Sequence, residues 1–308
     1  MRLSQLTYSL LALTGLAHAA AVLSPRQTAI TYLNPNDDPF YKVPANISAY
    51  KLGQVISKRA VSTSISSSSL SASYQISYRT QNASGEASSS VATLFIPKKP
   101  DSSPKLFSLQ FYEDSVQLDC APSYALLKGS NSSNVPTAAL DSPIFINWAL
   151  DAGIYALVAD HEGRSAAFIS GQQEGRAILD AIRASLADQH LPATKTAIGF
   201  YGYSGGAHAT TWAANLAPTY AKELNIIGAA YGGTPIDPQN LFNFLNGGPF
   251  AGFAGAGVVG LMNAYPELYN WVTDRLTPEG KTQLDKARAR GACIGTVAIG
   301  FPFVNFLT

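Results

Sequence analysis

The sequence predicts an α/β fold, a mainly parallel sheet with helices on both faces. Three observations lead there. Continuous apolar runs at 154–159, 196–201 and 226–231 read as strands buried on both sides. Segments with helical period, 168–186 and 207–224, separate them, and Ile178, Ile182 and Leu186 lie on one stripe at i, i+4 and i+8. Strands that alternate with helices in this way pack as a parallel sheet with crossover helices.

The elements follow in chain order. Arg2, an apolar run from Leu10 to Leu16 and the small-residue pattern Ala17-His18-Ala19 read as a secretory signal peptide over residues 1–20. The run is shorter than the roughly 20 residues a membrane span needs. Residues 21–60, rich in Pro and Asn, read as an extended entry segment. Eight serines fall within residues 62–73, which read as a flexible loop open to O-glycosylation. Strand signals follow at 74–78, 91–96 and 106–112, and 144–150 looks helical. Pro218 is expected to bend or interrupt the helix 207–224. The composition shifts after about residue 237, so the core is placed at 21–236. Residues 247–262 carry no charge and six glycines. They read as a buried Gly/Ala helix packed closely on a neighbour. Short amphipathic helices follow at 265–276 and 278–290.

Composition excludes several classes. Charged residues make up 13% of the 308, the net charge is +1, and no long basic run occurs, so nucleic-acid binding has no electrostatic footprint. No CxxC or HExxH spacing exists, so neither a metal site nor a cofactor is predicted. In a secreted chain the pair Cys120 and Cys293 points to one disulfide, with two separate buried thiols as the alternative. N-glycosylation sequons occur at Asn46, Asn82 and Asn131.

The chemistry centres on Gly202-Tyr203-Ser204-Gly205-Gly206, a match to G-x-S-x-G. In that motif a nucleophilic serine sits on a sharp, strained turn between a strand and a helix, and Gly202 and Gly206 are needed because side chains there would collide. An apolar strand enters the motif and a helix pattern leaves it, the context of an α/β-hydrolase nucleophile elbow. The other reading, a phosphate-binding loop, lacks its lysine. Ser204 would attack an ester carbonyl and form an acyl-enzyme. One oxyanion donor would be the N–H of Gly205, and the loop Tyr112-Glu113-Asp114-Ser115 is the candidate for the second.

A general base is harder to find. His18 leaves with the signal, His190 reads as solvated, and His208 falls one turn past Ser204, facing helix packing. His161 lies on the correct rim of the sheet. In this fold the order is Ser, then Asp or Glu, then His, so His161 and His208 are both read as structural.

The motifs together resemble the fungal secretory lipase family. The resemblance rests on Asp37-Asp38-Pro39-Phe40-Tyr41, Tyr112-Glu113-Asp114, Leu118 to Tyr124, Asp160-His161-Glu162-Gly163, Gly202 to Thr210, Gly232-Gly233-Thr234-Pro235 and Phe244 to Phe253. It implies hydrolysis of triacylglycerol esters at a lipid–water interface, with Ser204 as nucleophile and the backbone of Asp114 and Gly205 as oxyanion hole. It implies a Cys120–Cys293 disulfide and a helical cap, partial here, over 237–308. It also implies that the last core strands and the triad's aspartate and histidine lie beyond the point matching Thr308. On that expectation the 308-residue chain is nearly inactive and exposes a sheet edge. The alternatives are a broader carboxylesterase or acyltransferase, or a non-catalytic lipid-binding chain that lacks the triad Asp and His.

Overall fold

The structure is a computed structural model that describes residues 31–306. The expected signal peptide lies outside the described residues. Among the described residues, seven strands form one sheet: β1 (Val55–Ala60), β2 (Leu70–Gln81), β3 (Ala87–Pro97), β4 (Lys105–Gln110), β5 (Tyr155–Ala159), β6 (Ala197–Tyr203) and β7 (Ile226–Gly232). Their order is β1-β2-β3-β5-β4-β6-β7. Neighbours among β5, β4, β6 and β7 are parallel. The β1–β2 and β2–β3 pairs are antiparallel, and β3 joins β5 antiparallel.

Both faces of the sheet are covered, which explains the unbroken apolar runs. Along β5, Tyr155, Leu157 and Ala159 point into one core and Ala156 and Val158 into the other. The first core is closed by α3 (Gly171–Asp188) and α4 (Gly205–Tyr220), which present Ile178, Ile182, Ala209 and Ala213. The second is closed by the short α1 (Pro122–Ala125) and by α2 (Val135–Asp151), through Ile146, Ala149 and Leu150. Helix α2 starts earlier than its sequence suggested and carries Pro143 inside it. Pro218 sits in the last turn of α4, which stops at Tyr220.

The N-terminal expectations need correction. The entry segment 21–60 contains β1, an edge strand whose Lys58 and Arg59 hide the alternation a sequence reading needs. The serine-rich stretch is not a free loop. Ser64 N–H donates to the Leu126 carbonyl, Lys128 N–H to that of Ser62, Ile65 is buried, and β2 has begun by Leu70. Small hydroxyl residues are accommodated here because backbone pairing and the buried Ile65 hold the segment.

After β7 the described residues form α5 (Pro238–Leu245), α6 (Ala251–Ala264), α7 (Pro266–Thr273), α8 (Pro278–Ala287) and α9 (Ile294–Gly300). Proline opens α5, α7 and α8, and Asp237 and Thr277 accept N–H bonds as caps of α5 and α8. The Gly/Ala composition of α6 has a packing cause. A Cβ on Gly252 would lie 1.9 Å from the Val297 carbonyl oxygen, and one on Gly260 would lie 2.3 Å from that of Phe168. Backbone thus meets backbone on both sides of the helix. Helix α9 follows Cys293, which is bonded to Cys120 with Cα atoms 5.5 Å apart. Among the described residues, no helix is long and apolar enough to cross a membrane.

Candidate active site

Ser204 stands between β6 and α4, half-buried. Its backbone has φ 55° and ψ −124°, a conformation L-residues rarely adopt. The strain is held from both sides. Ser204 N–H donates to the Gly232 carbonyl of β7, and the Ser204 carbonyl accepts from the N–H groups of Ala207 and His208. The flanking glycines are a steric requirement. A Cβ on Gly202 would come within 2.2 Å of the Gly206 carbonyl oxygen, and one on Gly206 within 2.1 Å of the Gln110 carbonyl oxygen.

The loop after β4 closes on this turn. Asp114 has φ 42°, is buried, and its Oδ1 would lie 1.7 Å from a Cβ on Gly205. Asp114 and Gly205, both named from sequence, are therefore brought together beside Ser204. Burial pushes the Asp114 carboxyl up to about 7, with the Glu174 charge adding and His208 opposing. Ser115 pins the loop: its hydroxyl donates to the Glu113 carbonyl and accepts from Ile294 N–H at the start of α9.

A cavity of about 490 Å³ opens from Ser204, Asp114 and Gly205. Its walls are apolar and come from Phe168 and Ile169, from Leu241, Phe242 and Leu245 of α5, and from Phe253, Gly257, Val258 and Leu261 of α6. The uncharged segment 247–262 therefore lies over the Ser204 side of the sheet.

None of the described histidines bonds Ser204 Oγ. His190 is exposed at the end of α3. Both nitrogens of His208 are occupied: Nδ1 lies 2.6 Å from Glu174 Oε2, and Nε2 accepts from Trp212 Nε1 at 3.1 Å. Burial works against a charge on this ring, but the Glu174 and Asp114 carboxyls more than offset it and raise its pKa. His161 follows β5 and is buried, which lowers its pKa. It sits with Glu113 and Glu162, whose carboxyls burial pushes well above the ordinary range, with neighbouring acids adding. Sequence reasoning missed Glu174, which reads as an ordinary first-turn carboxylate until α3 packs on α4. It gave no role to Glu162 and named Glu113 only as part of the candidate oxyanion loop; each lies three residues past the end of a strand.

The sequence pattern of the secretory lipase family matches residues 130–308. The chain belongs to the secretory lipase family. It is 50% identical over 303 residues to Lipase A of Moesziomyces aphidis, covering 96% of this chain and 65% of that protein. A secreted triacylglycerol lipase of Malassezia furfur is 40% identical over 276 residues, 88% of this chain and 58% of its own. Among solved structures, Candida antarctica lipase A in its closed state superposes with a TM-score of 0.86 at 52% identity, covering 89% of this chain and 64% of that one. The α/β-hydrolase fold expected from the sequence is thereby established. The chain spans somewhat under two thirds of the length of these secretory lipases.

Proposed function

We propose that this chain forms the nucleophile-bearing part of a secreted lipase that cleaves triacylglycerol esters through an acyl-enzyme on Ser204. The observation that carries the reading is the strained Ser204 turn at the mouth of an apolar cavity of about 490 Å³. The serine attacks the ester carbonyl, and the alcohol leaves. Backbone N–H groups of Asp114 and Gly205 receive the developing oxyanion. Residues 237–308 act as a cap, with α5 and α6 sheltering the acyl chain from water. The likeness to a lipase and to a secreted triacylglycerol lipase supports both the substrate class and secretion. Secretion would follow cleavage of residues 1–20. It suits the Cys120–Cys293 disulfide and glycans on Asn46 and Asn131, both exposed, and on the half-buried Asn82.

Under this reading the general base comes from outside the described residues, since no described histidine bonds Ser204. The test supplies that base. The purified chain is treated with a long-chain alkylphosphonate p-nitrophenyl ester in the presence of imidazole, and the adduct is mapped by peptide mass. The reading requires the phosphonyl group on Ser204 and an unlabelled Ser204→Ala variant. Label on another residue, or none, refutes it.

A further inference from the structure

Beside the Ser204 turn lies a second cluster that ester cleavage does not use. Glu113 is on the loop after β4, and His161 and Glu162 follow β5. The two strands are parallel neighbours, so both loops leave the same edge of the sheet. One donor atom from each of the three residues lies within 4.8 Å of the others, and each residue is about 1% exposed. Glu113 Oε2, Glu162 Oε2 and His161 Nδ1 have no hydrogen-bond partner. Neither carboxyl forms an ion pair with a described Lys or Arg. Two carboxyls and an imidazole are thus gathered out of water with donor atoms left open.

We propose that Glu113, His161 and Glu162 bind one divalent cation, Zn²⁺ by donor type. Two carboxylates neutralise a dication, so the buried charges cancel. The imidazole nitrogen favours zinc over the hard, oxygen-seeking Ca²⁺ and Mg²⁺. Three protein ligands with bonds of about 2.0–2.2 Å are a common zinc complement and leave a fourth position for water. A cation draws the three donors inward from their present spacing. Its role is structural. It ties the loop that carries Asp114 to the loop after β5, the two being joined by the hydrogen bond from Ser115 N–H to Glu162 Oε1 at 3.4 Å. The absence of a metal-binding spacing in the sequence is no obstacle, because Glu113 comes from one loop and His161 and Glu162 from another far along the chain. The inference stands apart from the ester-hydrolysis reading and does not depend on Ser204.

The test uses the purified chain and Zn²⁺ alone. After equilibration with Zn²⁺ and gel filtration, the metal content is measured, and thermal unfolding is followed with added Zn²⁺ and with EDTA. The expected result is about one zinc per chain and a Tm that Zn²⁺ raises and EDTA lowers. Both effects should be lost in Glu162→Gln and in His161→Gln. Two results overturn the proposal. In one, the wild-type chain retains no zinc and its Tm is indifferent to Zn²⁺ and EDTA, so protons neutralise the carboxyls instead. In the other, a Glu113→Gln/Glu162→Gln double variant still retains stoichiometric zinc, which places the metal elsewhere. The wild-type measurements decide the matter even if a variant fails to fold.

Discussion

Gly206, having no side chain, lets α4 approach β4 closely, and through that contact it sets the turn at Ser204. The atom a methyl group would meet there is a backbone oxygen, which has no rotamer to yield. Gly206→Ala is therefore expected to destabilise the fold by about 1–3 kcal/mol, the cost of an overpacked interior. Denaturant unfolding checks this, and a change below about 0.5 kcal/mol, the range of neutral surface substitutions, would contradict it. His208 is expected to behave differently. Its ring is engaged by Glu174 and Trp212, so His208→Ala leaves the buried Glu174 carboxyl without its partner. That costs about 1–3 kcal/mol of stability, yet Ser204 chemistry should survive. A variant that keeps its stability but loses the imidazole-assisted reaction at Ser204 would show that His208 acts on the serine after all. At this scale the sequence was informative where sterics dictate the residue, as at Gly202 and Gly206. It was silent where a contact arises only from packing, as for Glu174 against His208.

The strands from β2 onward and the helices α3 and α4 could be read because burial on both faces leaves long apolar runs and clear stripes. β1 could not, because an edge strand needs no apolar face, and the serine-rich segment misled because backbone pairing leaves no compositional trace. Helix α9 also went unread: seven residues, Ile294–Gly300, are too few to show a period. Its place is set instead by the covalent bond at Cys293 and by the glycine contact with α6. The bridge spans 173 residues of sequence and joins the loop before α1 to the start of α9. Replacing both cysteines with alanine is expected to cost about 2–5 kcal/mol. It should also admit proteases first within residues 237–300. Unchanged unfolding together with an unchanged cleavage pattern would show that the helices hold without the bridge.

On the scale of the molecule, β7 is an edge strand among the described residues, with little cover. Ile227 is 69% exposed, Tyr231 53% and Ile236 87%. The stripe Leu140, Ile144 and Trp148 on α2 is exposed as well. An uncovered apolar edge strand is a template for pairing with another chain. The 308-residue chain is therefore expected to self-associate, and Ile227→Lys should reduce this in light scattering. A wild-type chain that stays monomeric at high concentration would contradict the expectation.

A strained serine opens on an apolar cavity, and no described histidine is bonded to it. One measurement addresses both. Hydrolysis of p-nitrophenyl palmitate by the 308-residue chain and by its Ser204→Ala variant is followed over a series of imidazole concentrations. Removal of a triad base leaves only the contribution of the oxyanion hole and binding, about 10³–10⁴-fold over water. Without imidazole, little difference between the two chains is expected. With it, a difference should grow and saturate as the external base takes the Ser204 proton. A large Ser204-dependent rate without imidazole would mean that a base is already in place among these residues. No difference at any concentration would mean that Ser204 is not the nucleophile.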